Sequence, residues 1–324
     1  MIRHRFAAAA AGLVLSVSMC LSGCSLGLKD AYSLKDRIPS IETSFAAEEE
    51  SAKGFASDLC VISDEGSFNP DDVTSQAGAL FDLTDREVLY SKDAFEKMYP
   101  ASITKVMTAL IAIKYGNLQD QVTVTDDAVI TETGATLCGI QPGDTLTLKQ
   151  LLYGLMLPSG NDAGAAIAIH MAGSMDAFAD KMNEEARRLG ATDTHFVNPH
   201  GLHDEDHYTT AYDLYLIFNE ALKYPEFRTV TGSTAYTANY TNKAGESVSK
   251  TWRGGNWYLT GEHETPEGLT VFSGKTGTTK AAGYCLIMAE KDDFDREFIS
   301  VVLKSDSRSH LYDNMTNIIS KIVK

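Results

Sequence analysis

Residues 102–115, SITKVMTALIAIKY, follow Pro100 and carry apolar side chains round the whole cylinder of the helix they predict. A helix that is apolar on every face has to be buried on every face. Ser102 and Lys105 lie in its first turn, where isoleucine or leucine would pack better. Three apart on a helix, they share a face. Two polar side chains in such a place are costly unless they are used, and a lysine beside a serine can take its proton. Ser-x-x-Lys alone carries little weight, because at average composition it arises about once in a chain of this length. A second copy runs from Ser247 to Lys250. Its surroundings, TNKAGESVSKT, are polar and turn-like and read as a solvated loop.

The flanking segments give the organisation. AGALFDL and EVLY, joined by TDR, predict a β-hairpin. VTVTDDAV follows, and then DTLTLKQLLYGLML, which ends in a helix just before Pro158. SMDAFADKMNEEARRLG is an amphipathic helix stopped by Gly190, and TAYDLYLIFNEALKY is another. LTVFSGKTG, GYCLIMAE and EFISVVLKS are strand-like, and HLYDNMTNIISKIV closes the chain as a helix. Strands at both ends with helices between them predict an α/β (α+β) fold. In it an antiparallel sheet joins the N- and C-terminal strands, flanked by helices and carrying a helical lobe. Residues 71–324 are expected to form this one domain.

At 44% hydrophobic residues the chain has ample material for a core. Its 28 Lys+Arg against 44 Asp+Glu give a net charge of −16, which argues against nucleic acid or anionic lipid as a partner. Ahead of the domain, Arg3 and Arg5 precede an apolar run, Ala7 to Met19. That run is short for a membrane span but fits a secretory signal. LSGC, Leu21 to Cys24, resembles a lipoprotein cleavage box, in which residues 1–23 are removed and Cys24 is lipidated. A plain signal peptide cut nearby is the alternative, and both place the mature protein outside the cytoplasm. Residues 24–70 read as a tether, with DLCVIS as a possible extra strand. Of five cysteines, Cys60, Cys138 and Cys285 remain after Cys20 and Cys24, an odd number that gives no complete disulfide framework. No Cys–His spacing suggests zinc, so no metal and no cofactor is expected.

Three short motifs occur in order: SITK (102–105), SGN (159–161) and KTG (275–277). Each is weak alone, but together, each at a predicted element boundary, they are specific. With AGALFDLTDREVLYSKDAFEKMYPASITKVMTAL, LLYGLMLPSGNDAGAAIA and FVNPHGLHDEDHYTTAYDL they resemble the D-alanyl-D-alanine carboxypeptidases, low-molecular-weight penicillin-binding proteins. The likeness covers about residues 76–324. It implies a β-lactamase/transpeptidase-like fold and a serine acyl transfer on peptidoglycan stem peptides ending in D-Ala-D-Ala, with β-lactams as covalent inhibitors.

By that resemblance Ser102 is the nucleophile and Lys105 its base, and Ser159 passes a proton toward the departing D-alanine nitrogen. Asn161 donates its amide to the substrate backbone; a plain helix cap is the other reading of this residue. Lys275 offers a cation to the C-terminal carboxylate, and Thr276 and Thr278 offer hydroxyls. Gly277 lets substrate lie against the strand, and the backbone N–H groups of Ser102 and Thr278 form the oxyanion hole. For Lys105 to act as base its pKa must fall from about 10.4 toward neutrality. Burial, the nearby Lys275 cation and the helix N-terminus all push that way.

Three competing readings share this machinery or lack it. A serine β-lactamase would carry Glu-x-x-Leu-Asn, which is absent from the sequence. A DD-endopeptidase would need only a roomier pocket, and a lipid-tethered wall-binding protein would need no chemistry. His195, His200, His203 and His207 with Asp204 and Asp206 suggest a metal cluster, but no ligand spacing fits. Arg308 reads either as a helper for the substrate carboxylate or as a surface arginine. Gly274 replaces the apolar residue many relatives hold before Lys-Thr-Gly, which leaves the pocket width open. The chain ends shortly after its last strand, so the C-terminal β-rich domain and anchor helix of many relatives are expected to be absent, with the lipid in the anchor's place.

Overall fold

The computed structural model describes residues 56–62 and 72–323. The hairpin β1 (Ala77–Asp82) and β2 (Glu87–Lys92) leads through a 3-10 turn, Ala101–Thr104, into α1 (Lys105–Tyr115). Next come β3 (Gln121–Thr123), β4 (Thr145–Thr147), α2 (Leu148–Met156), α3 (Asn161–Ala172) and α4 (Met175–Arg188). After α5 (Ala211–Leu222) and α6 (Pro225–Gly232) stand the hairpin β5 (Ala235–Thr241) and β6 (Ser247–Arg253) and the short α7 (Trp257–Thr260). The chain then runs through β7 (Leu269–Thr279), β8 (Gly283–Asp292), β9 (Glu297–Ser305) and α8 (Arg308–Ile319).

The main sheet has the order β2-β1-β9-β8-β7, and every neighbouring pair in it is antiparallel. Ala79 stands opposite Val301, so the first and last strands meet as the sequence predicts. Period-two alternation sends side chains to the two faces of this sheet. Phe81, Ile287, Ala289, Ile299 and Val301 join the core around α1, α2, α3 and α5. Leu80, Leu286, Met288, Phe298 and Val302 pack instead against Tyr258 of α7 and Tyr312, Met315 and Ile318 of α8. The sheet thus lies between helices on both sides, an α/β architecture as expected. Every residue of α1 from Lys105 to Ala112 is buried, which is what its all-round apolar character requires.

Local signals place the helix ends. α2 opens on a capping box, in which Thr147 accepts from the Gln150 amide and Gln150 accepts from the Thr147 amide. Ser174 and Thr210 cap α4 and α5 through their side chains. Gly190, at φ 80, follows the end of α4 in the left-handed conformation that stops a helix.

Two expectations need correction. Ser247 and Lys250 lie in a strand and not in a solvated loop: β5 and β6 form a regular hairpin with Lys250 opposite Ala238. With β3 and β4 they make a second, four-stranded sheet. DLCVIS forms no strand over Leu59–Ile62. Side chains take up its backbone there: the Cys60 N–H donates to the Tyr215 hydroxyl (2.8 Å) and the Cys60 carbonyl accepts from the Tyr212 hydroxyl (2.8 Å). Cys24 and the residues read as a signal and most of the tether lie outside the described residues. Among the described residues no helix is long and apolar enough to cross a membrane. Cys60, Cys138 and Cys285 are all free and buried, and Cys285 lies in β8.

Candidate active site

Three elements converge. Ser102 sits in the 3-10 turn ahead of α1, half-buried, and Lys105 is the first residue of α1 with no exposed surface. Ser159 and Asn161 flank Gly160, the N-cap of α3, so Asn161 is the first helical residue and not the cap. Lys275 comes from β7, the strand at the edge of the main sheet.

The Lys105 ammonium nitrogen has three acceptors: Ser102 Oγ at 2.9 Å, Asn161 Oδ1 at 2.7 Å and the His200 carbonyl at 2.6 Å. Burial is the main force holding its pKa well below the usual lysine value, and the Lys275 charge adds to it, while Asp162 opposes it. Lys275 is itself 3% exposed and donates to Ser159 Oγ at 3.1 Å and to the Thr276 carbonyl at 2.7 Å. Burial lowers its pKa to about 7. The three motifs are therefore joined through their lysines, Lys105 to Ser102 and Asn161, and Lys275 to Ser159.

The backbone in the site is strained. Ala101 at φ 48 and Ser159 at φ 62 occupy the left-handed region, where a non-glycine residue costs about 1–3 kcal/mol. Gly277 is required by crowding from the protein itself. A Cβ there would stand 2.8 Å from the Pro100 carbonyl oxygen and 3.1 Å from the Ser102 nitrogen. The sequence reading kept that space for substrate, but the nucleophile turn fills it. Thr276 is half-buried and Thr278 exposed on the same strand. At Gly274 a Cβ would meet the Asn256 amide nitrogen at 2.7 Å, so Asn256 takes the space a side chain would need.

Asp162 is the residue that sequence reasoning missed. Its carboxylate accepts from the backbone N–H groups of Cys138 (2.8 Å), Gly139 (2.7 Å) and Ile140 (3.2 Å), and the Asn161 N–H donates to the Thr136 carbonyl at 2.8 Å. A loop is thereby fastened to the start of α3. From its other side Trp252 Nε1 donates to the Cys138 carbonyl (2.9 Å) and Lys250 Nζ to the Gly139 carbonyl (2.8 Å). The only sequence signal was an acid in a helix's first turn, which is favourable anywhere.

The histidines do not gather into a metal site: among the described residues no group of three or more His, Cys, Asp or Glu could hold an ion. Burial keeps His200 and His207 neutral, with pKa values lowered to about 3 and about 4. The loop carrying them packs on α1, where Thr108 Oγ1 donates to the Pro199 carbonyl at 2.6 Å. Arg308 is exposed at the start of α8, with its guanidinium 5.5 Å from the centre of the Trp257 ring.

A family model described as D-alanyl-D-alanine carboxypeptidase matches residues 64–307. The D-alanyl-D-alanine carboxypeptidase DacF of Bacillus subtilis is 33% identical over 221 residues, covering 67% of this chain and 54% of that protein. DacC of Escherichia coli is 34% identical over 242 residues, 71% of this chain and 56% of that one. The chain thus spans about half the length of these two relatives. The crystal structure of the Streptomyces K15 DD-transpeptidase superposes with a TM-score of 0.71 at 32% identity, covering 77% of this chain and 97% of that one. With the three motifs joined through two buried lysines on the matching fold, the chain belongs to the D-alanyl-D-alanine carboxypeptidase family.

Proposed function

We propose that this protein is a serine-type D-Ala-D-Ala carboxypeptidase that removes the terminal D-alanine from peptidoglycan stem pentapeptides. The observation that carries the reading is Lys105: fully buried, its pKa depressed, 2.9 Å from Ser102 Oγ. A neutral amine keeps two N–H groups for Asn161 Oδ1 and the His200 carbonyl. Its lone pair is then left for the Ser102 hydroxyl proton.

Ser102 Oγ attacks the carbonyl of the D-Ala–D-Ala bond and Lys105 takes its proton. Negative charge on the carbonyl oxygen is received by the N–H groups of Ser102 and Thr278. As the C–N bond breaks, Ser159 hands a proton to the leaving nitrogen, replenished from Lys275 or Lys105, and free D-alanine departs. Lys275, with the Thr276 and Thr278 hydroxyls, holds the free C-terminal carboxylate, and Asn161 donates its NH₂ to the substrate backbone. A water then attacks the acyl carbon, giving its proton to the lysine left neutral. Ser102 Oγ takes a proton back as its bond to the acyl carbon breaks, and the shortened peptide is released. A β-lactam follows the first half, but its leaving nitrogen stays tethered, and so it remains as an acyl-enzyme.

The domain doing this is residues 71–324. Ahead of it the signal over 1–23, the lipidated Cys24 and the tether to residue 70 make an extracytoplasmic lipoprotein held at a membrane; the support is the sequence pattern of that region. Incubation of the chain with a labelled penicillin and a pentapeptide ending in D-Ala-D-Ala tests the activity. Long-lived label on Ser102 together with release of D-alanine is the expected result. Rapid turnover of the penicillin would make it a β-lactamase, and neither label nor release would leave a binding protein.

A further inference from the structure

The proposed reaction uses the His200 carbonyl of the histidine-bearing loop but none of its imidazoles. His207 in that loop is 2% exposed, and both of its ring nitrogens have partners. The Val197 N–H donates to Nδ1 at 3.1 Å, so Nδ1 is an acceptor and the ring proton sits on Nε2. Nε2 lies 2.8 Å from Thr104 Oγ1, and the Thr104 hydroxyl is 2.7 Å from the Ala101 carbonyl oxygen. Only one arrangement of protons uses each donor once: Val197 N–H to Nδ1, Nε2–H to Thr104 Oγ1, and Thr104 O–H to Ala101 O.

That last acceptor matters because the Ala101 carbonyl and the Ser102 N–H belong to one planar peptide unit. Fixing the carbonyl therefore fixes the direction of the N–H. The same unit follows a residue in the left-handed region, Ala101 at φ 48, which needs its surroundings to hold it there. Gly201 backs the carbonyl closely as well; a Cβ on it would overlap the Ala101 oxygen.

We propose that His207, acting through Thr104, is a positioning residue that aims the Ser102 N–H at the developing oxyanion. This rests on the acyl-transfer reading above. The groups around the ring are Phe196, its ring centre 5.6 Å away and its plane tilted by 70°, Asp204, His195 and His203 from its own loop, and Lys105 from α1. Burial keeps the ring neutral, with its pKa lowered to about 4, and the Val197 N–H on Nδ1 then leaves the one ring proton on Nε2.

A glutamine at 207 can place an N–H where Nε2 lies, whereas an asparagine can replace only the Nδ1 acceptor. Thr104→Val removes the relay, and Thr104→Ser keeps it. The experiment follows covalent labelling of Ser102 by a fluorescent penicillin at several concentrations, separating initial binding from the acylation step, with thermal unfolding as the check on the fold. Thr104→Val and His207→Asn are expected to slow acylation about tenfold, short of the loss on deleting an oxyanion donor. Initial binding changes by less than about twofold, because the lost interaction exists only in the transition state. Thr104→Ser and His207→Gln restore most of the rate, and the Thr104→Val/His207→Asn double variant is no slower than Thr104→Val alone. Equal slowing by His207→Gln and His207→Asn, multiplying effects in the double variant, or a loss confined to initial binding would each overturn the proposal. A wild-type chain that takes no label would instead remove the acyl-transfer reading.

Discussion

Asn161 turns its acceptor oxygen to Lys105, 2.7 Å from the amine nitrogen, which leaves its NH₂ as the donor it can offer a ligand. Lys105 is thereby flanked by Asn161, the His200 carbonyl and Ser102, so that two acceptors can engage its N–H groups while its lone pair faces the Ser102 hydroxyl.

Removing the nucleophile separates the two Ser-x-x-Lys copies. Ser102→Ala is expected to abolish penicillin labelling, while Ser247→Ala, on an exposed position of β6, leaves it at the wild-type level. Labelling that falls in the Ser247 variant would return that motif to the chemistry.

Asp162 acts on Lys105 at a distance and on the 138–140 loop directly. Its charge raises the Lys105 pKa, so Asp162→Asn depresses that pKa further and moves the acid limb of the acylation rate to lower pH. Losing charged acceptors for three backbone N–H groups also destabilises the fold, by about 1.5–3 kcal/mol. A pH–rate profile together with thermal melts checks both, and an acid limb displaced upward would contradict the assigned sign.

Lys275 titrates at about 7, below its ordinary 10.5, because it is buried. It is charged below that pH and neutral above it. KM for a pentapeptide with a free terminal carboxylate should therefore rise as pH passes through 7. A C-terminal amide, with no charge to hold, should show no such rise. Parallel KM profiles for the two peptides would mean that Lys275 does not bind the carboxylate.

Glu290 lies fully buried in β8 with its pKa raised by desolvation; Ser300 donates to one oxygen at 3.1 Å, and the other has no hydrogen-bond partner among the described residues. The native state keeps a proton that the unfolded chain releases above about 4.5. Stability is full below that pH and falls as pH rises toward the folded-state value. Glu290→Gln is expected to raise Tm at pH 8, by about 2–4 °C for each kcal/mol recovered, and to change it little at pH 4. Equal shifts at both pH values would show that the proton is not the cause.

The parts of this fold legible in the sequence are those whose side chains report burial. α1 is apolar all round, and β8 and β9 are near-continuous apolar runs, so each could be placed. The β5–β6 hairpin could not, because only Ala238, Tyr240 and Trp252 along it are buried and the stretch TNKAGESVSKT reads as a solvated loop. In the site, the three motifs name their own side chains. The contribution of residues 197–207 is different in kind. The Pro199 and His200 carbonyls do part of the work there, and a carbonyl oxygen leaves no mark in residue type. Gly277 was legible as a glycine but not for its reason, since the crowding atoms belong to Pro100 and Ser102, far away in sequence.

The buried thiols carry one more consequence. Burial raises the pKa of Cys60 to about 11 and of Cys285 to about 12, and pushes that of Cys138 up as well. The thiolate is the species that exchanges or is alkylated. Native chains therefore expose no reactive sulfur from these three positions, and the fold asks nothing of an oxidant or a disulfide isomerase. The same thiols make a built-in clock: an alkylating reagent marks a chain only when it opens, so the labelling rate reads how often the core comes apart.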